Sequence, residues 1–99
     1  MTGKLQKLVE ANIQLLPLTE ITTHFVFERH GFVALVERRN NEFGSIGTAG
    51  LLSDKGIAPL VWRNGRPFFV ARGFDEPASS EQVEQLRAFQ ADLSAALAA

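Results

Sequence analysis

Apolar side chains recur at Leu5, Leu8, Val9, Ile13 and Leu16, a three- and four-residue spacing that gathers them on one face of a helix over residues 4–16. Pro17 ends that helix, because its ring disfavours helical backbone at Leu16, and Leu18-Thr19-Glu20 reads as an extended connector. From Thr22 the period shortens. Thr22 to Arg29 and Phe32 to Arg39 are β-branched and aromatic, and His30-Gly31 between them suits a tight two-residue hairpin. Such a loop sets Phe25 opposite Val36, Val26 opposite Leu35, Phe27 opposite Ala34, and His24 opposite Glu37. One face then carries Phe25, Phe27, Phe32, Ala34 and Val36 and is the candidate core. The other mixes Val26, Val33 and Leu35 with His24, Glu28 and Glu37.

Asn40-Asn41 predicts a second tight turn, since Asn tolerates left-handed backbone. A third strand should run from Glu42 to about Ala49, with Leu35 opposite Ile46 and Ala34 opposite Gly47. Its small residues, Gly44, Ser45, Gly47, Thr48 and Ala49, mark a bulge or a close approach by another backbone or a ligand. Leu51 to Gly56 reads as a turn or a single helical turn, with a short helix over Ala49 to Ser53 as the alternative.

The strongest local signal is Asn64-Gly65 between Ile57–Arg63 and Arg66–Arg72, a hairpin pairing Arg63 with Arg66, Trp62 with Pro67, Val61 with Phe68, and Leu60 with Phe69. Pro67 falls in a non-hydrogen-bonded pair and suggests a strand starting at a sheet edge. Pro59 cannot donate to Val70, so regular pairing should begin at Leu60. Gly73 to Ser79 reads as a connector. Ser79 followed by Gln82 is a capping-box signature, and Val83, Leu86, Phe89, Leu93 and Leu97 continue as a helical stripe. The expected fold is α+β: an antiparallel meander of about five strands flanked by an N-terminal and a C-terminal helix on one sheet face (α-β-β-β-β-β-α).

Composition narrows the rest. Ninety-nine residues leave room for one domain spanning 1–99, and 45% hydrophobic content with eight Phe supplies its core. A net charge of -1 gives no basic field for nucleic acid, so none is expected as a partner. Zero cysteines exclude disulfides, thiol chemistry and thiolate zinc sites. The N-terminus lacks an apolar signal core and the longest apolar run, Phe32 to Val36, cannot span a bilayer, so a soluble, cytoplasmic chain without membrane partners is expected.

Candidate chemistry is sparse. Gly44-x-x-Gly47-x-x-Gly50 matches no phosphate-binding fingerprint and reads as strand or packing glycine. His24 opposite Glu37 could be a base with its orienting carboxylate or half of a metal site. It lacks the remaining members, and Glu28 lies too far along the strand, so a surface polar pair is the reading. No nucleophile, base and oxyanion donor come together by spacing, so no catalytic residue, cofactor or metal is expected.

Arg63 and Arg66 are like charges side by side, which an anion or a carboxylate would relieve. With Trp62 they form the candidate binding set, Trp and Arg being the types enriched at binding hot spots. Both hairpins are apolar on the face turned away from the helices, through Val26, Val33 and Leu35 in the first. That face is the expected homodimer interface. The functional expectation is therefore a non-enzymatic, homodimeric protein-interaction module. A small-ligand binder, with a pocket left by Gly44 to Gly50 beneath the C-terminal helix, is the alternative.

Overall fold

A computed structural model describes residues 2–17 and 22–98; the expected connector Leu18-Thr19-Glu20 lies outside the described residues. The first helix, α1, spans Thr2–Glu10 and stops well before Pro17. Its end is set by a cap. Asn12 takes φ 59, its N–H donates to the Val9 carbonyl at 3.0 Å, and the Ile13 N–H donates to the Leu8 carbonyl at 2.9 Å. This is the Schellman closure on a left-handed residue, with its usual apolar contact supplied by Leu8 and Ile13, both buried. The helix expected over 4–16 is thus corrected: the stripe divides, Leu5 and Val9 stay exposed, and Gln14–Leu16 becomes strand β1.

Six further strands follow in a sequential antiparallel meander: β2 (His24–Arg29), β3 (Phe32–Arg39), β4 (Glu42–Ser53), β5 (Gly56–Arg63), β6 (Arg66–Ala71) and β7 (Phe74–Pro77), before the second helix α2 (Ser80–Leu97). The fold is α+β with an N-terminal and a C-terminal helix flanking an antiparallel sheet, and the sheet has seven strands rather than about five. The two unexpected strands are the outermost ones. β7 replaces the expected connector because Gly73, at φ 77, closes another two-residue turn that pairs Ala71 with Phe74. β6 is consequently not an edge strand. Pro67 is accommodated because β7 ends opposite Phe68, and the Pro67 carbonyl still accepts from the Ala78 N–H at 2.9 Å.

The β2–β3 and β5–β6 registers match those their turns dictate, and the β5–β6 ladder begins at Leu60, one residue past Pro59. The β3–β4 register departs from expectation. It starts as the Asn40-Asn41 turn requires, then shifts twice, so Ile46 pairs with Val36 and Ala34 with Ala49, in place of Leu35 with Ile46 and Ala34 with Gly47. Two bulges in the glycine-containing segment absorb the extra residues. Residues 51–53, expected as a turn or short helix, continue β4. The chain reverses at Asp54-Lys55, where the Ser53 hydroxyl accepts from the Lys55 N–H and donates to the Gly56 carbonyl.

Both helices pack on one face. Leu8, Ile13, Leu86, Phe89, Leu93 and Ala96 form a single buried cluster with Phe27, Phe32, Ala34, Val36, Ala58 and Phe69 from the sheet. The rings of Phe32 on β3 and Phe69 on β6 lie 5.9 Å apart. Three strand spacings in a flat sheet would separate them by about 14 Å, so the sheet curls around the core and the helix side is concave. Arg29 ties this side together: its Nη1 donates to the Ala11 carbonyl at 2.9 Å and to Asp92 Oδ2 at 2.8 Å, joining β2, the end of α1 and α2.

α2 begins as its sequence requires. Ser79 is the N-cap, its hydroxyl accepting from the Gln82 N–H while the Gln82 side chain accepts from the Ser79 N–H. Ser79→Ala should therefore lower stability by about 1 kcal/mol in urea denaturation. An unchanged midpoint would mean that the box adds nothing to folding.

Candidate functional site

Strand alternation puts Val26, Val33, Leu35, Ile57, Pro59, Val61, Phe68 and Val70 on the convex outer face, away from both helices. Their exposure is uneven. Val26 and Val33 are 5% and 0% exposed within the single chain, and Leu35 is half-buried. Towards β5 and β6 the face opens: Val61 and Leu52 are 39% and 49% exposed, and Ile57, Pro59, Phe68 and Val70 are half-buried. Charge sits around this apolar field. Glu28, Glu37 and Arg39 belong to the β2–β3 half, and Arg63, Arg66 and Asp75 to the half from β5 to β7, with Glu37–Arg39 and Arg63–Asp75 paired within the chain.

Trp62, Arg63 and Arg66 do not form one cluster. Trp62 is on the concave side with Leu60 and Phe69, beside the start of α2, in an open groove with Pro67, Val83 and Arg87. The Arg87 guanidinium lies 5.9 Å from its ring centroid, and 51% of Trp62 stays exposed. Arg63 and Arg66 project from the opposite side of the same hairpin. Their like-charge proximity is relieved within the chain, since Arg63 Nη2 lies 2.9 Å from Asp75 Oδ2 on β7 and its guanidinium covers the Phe68 ring. Asp75 escapes sequence reasoning because β7 does; the missed signal is Arg72-Gly73, a turn dipeptide with glycine in second position, as in His30-Gly31 and Asn64-Gly65.

His24 faces Glu37 as the hairpin dictates, yet each engages its own strand. His24 Nδ1 lies 2.8 Å from Thr23 Oγ1, and Glu37 accepts from Arg39 Nε. Glu28 is also engaged locally. Its Oε2 accepts from the Gly31 N–H at 2.9 Å and its Oε1 from the Gln14 side chain, fixing the β2–β3 turn and the edge strand together. Among the described residues no group of three or more His, Cys, Asp or Glu is gathered as a metal site would need, and no helix is long and apolar enough to cross a membrane.

Of the three glycines, Gly44 and Gly50 serve strand approach, and Gly47 has room for a side chain. None has positive φ. A Cβ on Gly50 would stand 2.3 Å from the Ala58 carbonyl oxygen, so only glycine lets β4 and β5 cross there. The space between sheet and α2 is filled by Phe27, Phe32, Phe69, Phe89 and Leu93, all fully buried. Comparison with known proteins adds no relative: no family model, no curated protein and no solved structure matches the chain.

Proposed function

We propose that the protein is a non-enzymatic interaction module that works as a homodimer, two copies meeting through the outer sheet face. The observation that carries this reading is the apolar field on a face without helices, running from Leu35 through Pro59, Val61, Phe68 and Val70 and exposed most at Val61 and Leu52. A second copy fits it better than a partner of one charge sign. Once Glu37 is paired with Arg39 and Arg63 with Asp75, the face keeps the Glu28 carboxylate on its β2–β3 half and the Arg66 guanidinium on its β5–β6 half, so a two-fold axis along the strands sets each half against its opposite. Val26 and Val33 underlie the contact, while Leu35, Val61 and Phe68 supply its surface.

Leu35→Glu and Val61→Glu test the reading in sedimentation velocity. Wild-type protein is expected to sediment as a dimer, and Val61→Glu as a folded monomer with an unchanged circular dichroism spectrum. Leu35→Glu should do the same; because Leu35 is half-buried, unfolding of that variant would assign it to the core and leave Val61→Glu to decide. A Val61→Glu protein that remains dimeric would exclude this face.

A further inference from the structure

We propose that the middle of the sheet carries a strand-addition site, where an extended segment of a partner protein pairs its backbone with β5. The β4–β5 ladder runs only from Ser53 opposite Gly56 to Gly50 opposite Pro59. Beyond it, residues 42–49 of β4 pair with β3 alone, and Leu60–Arg63 of β5 pair with β6 alone. The bulges in β4 bend it away, and the close crossing at Gly50 is the point of departure. The fourth and fifth strands of a seven-stranded sheet thus fork, each with an edge that has no registered strand partner among the described residues.

Antiparallel geometry fixes which backbone groups line the fork. Arg63 and Arg66 flank a two-residue turn and exchange hydrogen bonds, so Val61 also bonds towards β6. Leu60 and Trp62 turn theirs the other way; Gly50 opposite Pro59 is a non-hydrogen-bonded pair, so the Leu60 N–H closes the last rung on the Ala49 carbonyl, and the Leu60 C=O with the Trp62 N–H and C=O faces the fork. The exposures agree. β3 is buried at four of its first five residues, as an interior strand should be, whereas Val61, Trp62 and Arg63 on β5 and Ser45, Gly47 and Thr48 on β4 are all exposed.

A row of alternating backbone donors and acceptors is matched by another extended backbone. Charge narrows the occupant. The open end of the fork lies between the β3–β4 and β5–β6 turns, where Arg38, Arg39, Arg63 and Arg66 outnumber Glu37, Glu42 and Asp75. Arg39 and Arg63 are paired with Glu37 and Asp75, and Arg66 has no carboxylate partner among the described residues. The fitting segment alternates apolar and polar residues and carries an acidic residue that reaches Arg66, with an apolar side chain against Trp62.

The probe is a phage-displayed library of random heptapeptides, with selected sequences resynthesised and amide hydrogen exchange read by NMR. In free, dilute protein the Trp62 amide should exchange far faster than those of Val61 and Arg63. Bound peptide should slow it at least tenfold, and N-methylation at alternate peptide residues should abolish the effect. Trp62→Val keeps the backbone N–H, whose exchange bound peptide should still slow, whereas Trp62→Pro removes a donor that β6 does not use and should weaken binding about tenfold, the strength of one good backbone hydrogen bond. If Trp62→Pro does not fold, the N-methylated peptides decide on wild-type protein. The proposal is overturned if the Trp62 amide is already protected in dilute protein, if no peptide is selected, or if bound peptides leave it unchanged. It is equally overturned if protection grows with protein concentration alone, since the occupant is then a second copy.

Discussion

Phe89→Ala is expected to lower the unfolding free energy by about 3 to 5 kcal/mol, enough to bring a domain of this size close to its folding threshold. Phe89 is fully buried on α2 within the cluster that joins both helices to Phe27, Phe32 and Phe69 on the sheet. The Arg29 guanidinium, 5.7 Å from its ring, also loses its packing surface. The sheet is already curled tightly enough to bring Phe32 and Phe69 together, so it cannot collapse further into the space a benzyl group leaves. Urea denaturation of the variant checks this. A loss below about 0.5 kcal/mol, the usual size for a surface change, would mean that α2 does not pack on the sheet through this stripe.

Gly50→Ala should cost about 3 kcal/mol or more, at the upper end of overpacking effects, although it adds a single methyl group. The new Cβ would lie 2.3 Å from the Ala58 carbonyl oxygen, 2.6 Å from its carbon and 2.8 Å from Pro59 Cα. All three are backbone atoms, which no rotamer change can move aside. The strands must part, and the pairs Gly50–Pro59 and Leu51–Ala58 go with them. Gly47→Ala is the matched control. Its Cβ meets only the Leu35 carbonyl, at an ordinary 3.6 Å, and a less flexible unfolded chain should leave it neutral or slightly stabilised, by up to about 1 kcal/mol. Equal melting temperatures for the two variants would remove the strand crossing from the account.

The pattern of legible and illegible features follows from how local each signal is. Two-residue turns are local: His30-Gly31 and Asn64-Gly65 fix the registers on either side, and both hairpins pair as their turns dictate. The cap of α2 is equally local, being written in Ser79 and Gln82. The end of α1 is written just as locally, in Asn12, but the apolar stripe through Ile13 and Leu16 masks it, since residues beyond a helix can keep the helical spacing by chance. The β3–β4 register resists prediction for a different reason. The Asn40-Asn41 turn sets only its first pairs, and where two bulges fall along the segment from Phe43 to Ala49 depends on the bend the whole sheet needs. Of the candidate site, the side of the sheet on which each residue lies is legible. That Trp62 and Arg63 serve opposite faces follows from alternation, while the pairing of Arg63 with Asp75 needs a strand that the sequence reads as a connector.

Burial along the outer face is likewise a tertiary property. Val26, Val33 and Leu35 share one face by alternation, yet two of them are sealed within the chain, and the exposed apolar surface shifts towards β5 and β6. That shift gives the proposed dimer its location, and the mixed charge around it gives a reason for the second copy to be the partner.

Native mass spectrometry of gently purified wild-type protein, over a range of concentrations, tests the central claim of self-association most directly. The expected result is a species of twice the 10.9 kDa chain mass that persists on dilution to the micromolar range typical of specific complexes and carries no additional small molecule. A bare monomer at every concentration would contradict it and leave the outer face without the partner proposed for it.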